Sequence, residues 1–384
     1  MITFANRLQT VEEYYFSKKL REVRELVTKG KPIINMGIGS PDLAPPNEVI
    51  EAITKSMLEA GAHKYQSYQG IPEFRTAISS FYKTNYNVNL NPDSEILPLM
   101  GSKEGIMHIS LALLNEGDSV LIPNPGYPTY SSVTKLLGAK PVFYDLVEEN
   151  DYQPDFTTLE KENLSNVKLM WINYPHMPTG TNASKDTFKN IIEFAKKHNI
   201  IVVNDNPYSF ILNENPTSIL QVEGAMDIAL ELNSLSKSFN MAGWRVGMLS
   251  GKQEFLNEIL KVKTQMDSGM FYGIQKGAIA ALQLSKEWFT SINSIYETRR
   301  ALIHELVEKL GLTCKKDSSG MFVWTKIPSN QTSEEFIDNL LHKYDLFVAP
   351  GSIFGSQGEG YIRFSLCVNE EDIKTAIKRI DNLG

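Results

Sequence analysis

The sequence predicts an α/β protein: a large domain with a mostly parallel central sheet flanked by helices, followed by a smaller α+β domain. Short β-type apolar runs alternate with longer helix-period segments through the middle of the chain, the grammar of βαβ units with helices on both faces. After about Leu282 the order changes to a long helical region, then strand, helix and strand. No repeat, low-complexity tract or long linker interrupts the 384 residues, so the two parts are expected to pack closely. The expected division is 1–45 as an N-terminal arm and helix contributing to the small domain, 46–285 as the large domain and 286–384 as the small C-terminal domain.

Taken in order, Tyr15, Leu20, Val23, Leu26 and Val27 recur at helical spacing among charges, so Val11 to Lys29 reads as an amphipathic helix stopped by Gly30 and Pro32. Ile33 to Asp42 then opens into a glycine turn; Pro41 and the absence of a third glycine exclude a dinucleotide fingerprint. Strands are expected at Glu95–Leu99, Val120–Pro123, Pro141–Asp145, Lys168–Ile172, Ile200–Asn204, Ile228–Leu232 and Val246–Leu249, with helices at Lys103–Leu114, Ser184–His198 and Phe255–Val262. The C-terminal part reads as a helix over Lys286–Leu310 containing Arg299-Arg300, a strand at Met321–Trp324, a helix at Ser333–Tyr344 and a strand at Tyr361–Leu366.

A net charge of -7 and pI near 5.6 give no basic footprint for nucleic acid. Cys314 and Cys367 are too few for a disulfide framework, lack metal-ligand spacing and sit among apolar residues, as buried thiols do. No metal group is expected, no apolar run approaches the roughly 20 residues of a membrane helix, no signal peptide is apparent, and a cytoplasmic location is expected.

The chemistry gathers where strands end, because sites in open α/β sheets lie outside the carboxyl ends of their strands. Ile228–Leu232 runs into Asn233-Ser234-Leu235-Ser236-Lys237, and Arg245 heads the next apolar run. A lysine delivered by a rigid strand end and desolvated there can form a Schiff base with a carbonyl cofactor. Ser234, Ser236 and Arg245 supply hydroxyl and guanidinium donors suited to a phosphate. Gly101-Ser102-Lys103 opens a helix, which is either a phosphate seat at a helix N-terminus or a plain cap. Tyr127, held between prolines, is either a flat stacking surface or an aromatic core residue. Asp205 can pair with a protonated pyridine nitrogen or merely cap a turn, and Tyr208 follows it in the loop.

Together these stretches resemble a fold-type I, class I/II aminotransferase dependent on pyridoxal 5'-phosphate, from the Gly39-Ser40-Pro41-Asp42 turn to Arg363. Gly-Ser-Lys-Glu-Gly at 101–105 and Met266-Asp267-Ser268-Gly269 look most similar to the branch containing LL-diaminopimelate and aspartate aminotransferase-like enzymes. The resemblance implies that Lys237 carries the cofactor and moves the substrate's α-proton. It also implies that Asp205 pairs with the pyridine nitrogen, Tyr208 bonds O3', Tyr127 stacks on the ring, and Gly101, Ser102, Lys103, Ser234, Ser236 and Arg245 form the phosphate cup. Tyr65 is expected to reach the phosphate of a neighbouring subunit, which makes the protein a homodimer with shared sites. Arg363 is expected to hold the substrate's α-carboxylate with a backbone contact from Gly39; without the resemblance, a structural salt bridge is the better reading of Arg363. The implied reaction moves an amino group from an L-amino acid to a 2-oxo acid such as 2-oxoglutarate by a ping-pong cycle. β-Elimination or racemisation on the same cofactor, and a non-catalytic amino-acid sensor, are the alternatives. Intact Lys237, Asp205 and Arg245 disfavour the sensor.

One departure stands out. Family members carry Asn-Pro-Thr-Gly, whose asparagine bonds the cofactor's O3'; here the stretch is Tyr174-Pro175-His176-Met177-Pro178-Thr179-Gly180, and the thioether of Met177 cannot donate. A hydrogen bond to a charged oxygen is worth about 1.5–3 kcal/mol, or roughly one to two pK units. The pKa of the lysine-bound cofactor is therefore expected to fall by that amount in Met177→Asn, and spectral titration giving identical values for both proteins would refute this. Arg7, Arg21 and Arg24, or alternatively Tyr14, Tyr15 and Phe16 as an apolar lid, are the N-terminal candidates for bordering the substrate pocket.

Overall fold

The computed structural model of the protein describes residues 3–10 and 15–383. Seven strands form the large sheet: β1 Ile96–Leu99, β2 Ser119–Asn124, β3 Lys140–Asp145, β4 Val167–Ile172, β5 Ile201–Asp205, β6 Ala229–Ser234 and β7 Gly247–Gly251. Their spatial order is β1-β7-β6-β5-β4-β2-β3. All run the same way except β7, which is antiparallel to both neighbours. The expected strands are thus all present, with bounds moved by no more than about two residues, as terminal hydrogen bonds dictate. One antiparallel strand among seven agrees with the expected mostly parallel sheet; which strand is reversed is not legible from apolar periodicity, which carries no sense of strand polarity.

Alternate side chains of the buried strands feed two cores. Leu169 and Trp171 join Ile106, Val203 and Leu232 on one face, while Met170 and Ile172 join Val202, Ile191 and Ile219 on the other. Helices over Ser102–Leu113 and Lys185–His198 return the chain between strands. The second is fixed by a capping box from Ser184 and stopped at Asn199 in the left-handed conformation. Helices at Asn47–Ser56, Pro72–Tyr86, Thr129–Leu136, Tyr272–Leu282 and Glu370–Leu383 were not among those expected.

The C-terminal part carries a four-stranded sheet in the order Ala349–Pro350, Tyr361–Ser365, Phe322–Lys326, Thr313–Cys314, backed by the helix Lys286–Lys309. Ile34–Asn35 pairs in parallel with Leu346–Phe347, so the N-terminal segment is stitched to C-terminal residues. The N-terminal helix is described from Tyr15 to Thr28; Val11 to Tyr14 of the expected helix, and with them Tyr14 of the expected lid, lie outside the described residues. Cys367 is buried as expected, whereas Cys314 is only half-buried, because its two-residue strand sits at the sheet edge. Among the described residues no helix is long and apolar enough to cross a membrane.

Candidate active site

A cavity of about 570 Å³ opens at the carboxyl ends of β5 and β6. Ser102, Lys103, Tyr127, Asp205, Tyr208, Ser234, Ser236, Lys237 and Arg245 all line it, together with Gly39 and Arg363. The reversed β7 places Arg245, which precedes it, at the same end of the sheet as Ser234, because Ser234 and Gly247 are direct partners.

Asp205 ends β5 and is buried. Burial in a poorly solvated site disfavours its charge and lifts its pKa to about 6, while the hydroxyl of Tyr130 and the charge of Lys237 pull the other way. Tyr130 donates to Oδ2 at 2.8 Å and lies flat on Trp171, with centroids 4.8 Å apart. Oδ1 faces the cavity residues with no hydrogen-bond partner. Such an orphaned carboxylate oxygen fits a protonated ring nitrogen. Asn173, at the end of β4, donates its amide to the Asp205 carbonyl and accepts from the Met177 backbone N–H at 2.9 Å.

The sign of the Asp205 shift makes a prediction. A carboxyl with a raised native pKa binds its proton more tightly folded than unfolded, so stability falls as pH climbs from about 4 through about 6. In cofactor-free protein the loss is on the order of 3 kcal/mol. Denaturant midpoints across that pH window are expected to slope downward in the native protein and to flatten in Asp205→Asn; parallel slopes would refute it.

Lys237 follows Ser234 in a single turn of helix, Leu235–Ser238. Its Nζ donates to the Gly39 carbonyl. Burial lowers its pKa, helped by the positive charges of Arg363 and Arg245 and opposed by Cys367 and Asp205. Ser234 accepts from the Ser236 N–H at 3.1 Å and donates to the Val246 carbonyl at 3.3 Å, so its hydroxyl is already engaged within the turn.

Gly101 itself is not part of the cavity wall, but it shapes the wall. Its φ of 94° and position before the helix Ser102–Leu113 require glycine, and a side chain there would collide with the Arg245 guanidinium. The start of the helix at Ser102 and Lys103 therefore lies beside a guanidinium that donates to the Ala242 carbonyl at 2.8 Å and, among the described residues, pairs with no carboxylate. That donor set suits a phosphate.

Arg363 is buried between two rings, 3.9 Å from the centroid of Phe322 and 4.6 Å from that of Phe354. Nη2 donates to the Gly37 carbonyl at 3.0 Å and Nη1 meets only the Met177 sulfur at 3.2 Å. Nε has no partner. Burial lowers its pKa to about 10. The salt-bridge reading of Arg363 is thus overturned among the described residues: the cation has no carboxylate partner, and the residue lines the cavity. Gly39 contributes its carbonyl to Lys237, and a side chain there would strike the Phe322 ring.

Tyr127 lines the cavity edge-on to Tyr130, with ring centroids 5.6 Å apart. The loop carrying it is braced by His176, whose ring nitrogens meet Pro125 O at 3.1 Å and Thr179 Oγ1 at 2.8 Å. Burial drops the His176 pKa to about 3, so the ring is neutral and serves as a brace. Burial raises the pKa of Tyr208, keeping its hydroxyl a donor. Of the N-terminal candidates, Phe16 lines the cavity, and Arg7, Arg21 and Arg24 do not. Tyr65 is not brought to this cavity; it is 89% exposed beside Ser268–Phe271. Behind the phosphate seat, Glu104, His108 and Asp267 approach within 4.8 Å. The buried Lys263 ammonium sits 2.8 Å from Asp267, so the cluster carries its own cation.

A buried lysine at a strand end, a carboxylate with an open oxygen, a guanidinium at a helix start and a buried arginine meet in this one cavity, a set that suits pyridoxal phosphate and an amino-acid carboxylate. Residues 31–380 match the family model of aminotransferase class I and II, and the chain belongs to that family. It is 40% identical over 385 residues to the LL-diaminopimelate aminotransferase of Aquifex aeolicus, covering 100% of both chains. It is likewise 40% identical to that of Natranaerobius thermophilus, covering 98% of each. Among solved structures, BacF from Bacillus subtilis superposes with a TM-score of 0.96 at 36% identity, covering 100% of this chain and 98% of that one. An aminotransferase from Staphylococcus aureus gives 0.90 at 31% identity, covering 99% of each. The protein is a fold-type I, pyridoxal-phosphate-dependent enzyme that moves an amino group from an L-amino acid to a 2-oxo acid.

Proposed function

We propose that this enzyme is an L-amino acid:2-oxoglutarate aminotransferase working by a ping-pong cycle in a cytoplasmic homodimer. The observation that carries the substrate reading is Arg363, a buried cation with open donors in the same cavity as Lys237. A substrate α-carboxylate supplies the missing counter-charge and a bidentate acceptor. Pyridoxal phosphate supplies an aldehyde and an electron-withdrawing ring. Lys237, whose pKa burial lowers, would hold the cofactor and then move the α-proton. With the cofactor bound, Asp205 would hold the proton on the ring nitrogen, Tyr208 would donate to O3' and Tyr127 would offer its ring face. Gly101, Ser102, Lys103, Ser236 and Arg245 seat the phosphate, and Ser234 orders the turn beside them.

Residues 46–285 are assigned to the cofactor domain and 286–384, joined by the 1–45 arm, to the small domain; the pairing of Ile34–Asn35 with Leu346–Phe347 supports the second grouping. The dimer reading is supported by exposed apolar side chains on neighbouring segments, Tyr65, Tyr68, Met266 and Phe271. Monomers seldom leave such a patch bare, and Tyr65 on it can reach a partner's phosphate.

The test is a single-turnover absorption series on purified protein loaded with pyridoxal phosphate. A panel of amino acids is added, with LL-diaminopimelate first because it names the activity of the 40%-identical relatives. Conversion to the pyridoxamine absorbance, reversed by 2-oxoglutarate, supports the reading. Release of pyruvate and ammonia without an acceptor would overturn it.

A further inference from the structure

Arg299 lies in the helix Lys286–Lys309, 2% exposed and outside the cavity. Four of its five donors are engaged. Nη1 and Nη2 donate to the two oxygens of Asp42 at 2.7 and 3.0 Å. Nη1 also donates to the Leu366 carbonyl at 3.0 Å, and Nε to Glu370 at 2.8 Å. Two of these partners belong to segments that frame the reaction. Asp42 closes the stretch whose Gly37 carbonyl accepts from Arg363 and whose Gly39 carbonyl accepts from Lys237. Leu366 follows the strand Tyr361–Ser365, which carries Arg363. The other end of the stretch is pinned where the Ser365 N–H donates to the Met36 carbonyl at 2.7 Å.

We infer that Arg299 is a positioning residue for amino transfer: by clamping Asp42 to Leu366 it sets the spacing between the carboxylate-binding Arg363 and the reactive Lys237. The inference rests on the roles proposed above for those two residues. The stretch from Met36 to Asp42 has no regular structure, so its far end is set by the bidentate pair at Asp42 together with the single bond from the Asn240 amide to the Ala44 carbonyl at 3.2 Å. Bidentate pairing is what fixes an angle as well as a distance, and lysine cannot reproduce it. Misplacement by about 1 Å can cost about 100-fold in rate.

The test compares Arg299→Lys, Asp42→Asn and Glu370→Gln in holoenzyme. Glu370 shares the arginine but does not touch the Met36–Asp42 stretch, so Glu370→Gln reports on packing alone. In Arg299→Lys and Asp42→Asn, KM for the amino donor is expected to rise about 10- to 100-fold. The visible-absorbance pKa of the lysine-bound cofactor is expected to move, and cofactor affinity to stay within about twofold. Glu370→Gln should lower thermal stability and leave KM and the titration unchanged. Lower melting temperatures with native KM and native titration in Arg299→Lys and Asp42→Asn would overturn the inference. So would a Glu370→Gln enzyme that shifts KM equally. Should Arg363→Lys leave KM untouched, the proposed role of Arg363 falls by itself, and the titration still reads the Gly39–Lys237 contact.

Discussion

Lys237→Ala is expected to abolish the visible absorbance of bound cofactor and to cut turnover by about 10⁴-fold, the upper range for loss of a positioned proton-transfer group. The expectation follows from the surroundings of Nζ. It is an amine drawn out of water, facing two guanidinium groups and touching only the Gly39 carbonyl. Burial therefore favours the neutral amine more than it is favoured in an exposed lysine. Removing it leaves no other amine at the site except Lys103, which opens the phosphate-seat helix. Circular dichroism should be unchanged, since Leu235–Ser238 is capped by Ser234 rather than by the lysine. Retained absorbance and turnover in the variant would remove Lys237 from the mechanism.

Arg363→Lys is expected to raise KM for amino donors about 10²- to 10³-fold with a smaller effect on kcat. The guanidinium offers two unused donors, Nε and the Nη1 that now meets only sulfur. Each hydrogen bond to a charged group is worth about 1.5–3 kcal/mol. An ammonium presents one point charge in place of a planar fork and fits poorly between Phe322 and Phe354. Steady-state kinetics with a donor series gives the answer. If KM rises equally for a decarboxylated amine, the effect is not recognition of the α-carboxylate.

The parts of the site legible in the sequence are those that one strand end delivers in a few residues. Asp205 to Tyr208 and Ser234 to Lys237 are of this kind, because strand geometry and a short turn fix where their side chains go. Tyr130 was within reach: Tyr127 and Tyr130 are three apart at the head of the helix Thr129–Leu136, the spacing that aligns side chains on one face. Its partner Asp205, however, is 75 residues away, and no local pattern carries that distance. Asn173 escapes sequence reading for the same reason, whereas Phe16, expected as part of an apolar lid, does line the cavity. The fork of Arg299 was visible only as a pair of arginines in a helix. The missed helices at Asn47–Ser56 and Pro72–Tyr86 lack side-chain caps at their starts, so the strongest local signal was absent.

The reversed direction of β7 also bears on how the site assembles. Ser234 and Val246, which bring the cofactor's lysine and Arg245 to one edge, are only 12 positions apart. The contacts that complete the substrate side span 198 positions, from Gly39 to Lys237, and 326, from Gly37 to Arg363. Loop closure costs little over a dozen residues and more over hundreds, and local contacts form first. The hairpin bearing Lys237 and Arg245 is therefore expected to close before the contacts of Gly37 and Gly39 form.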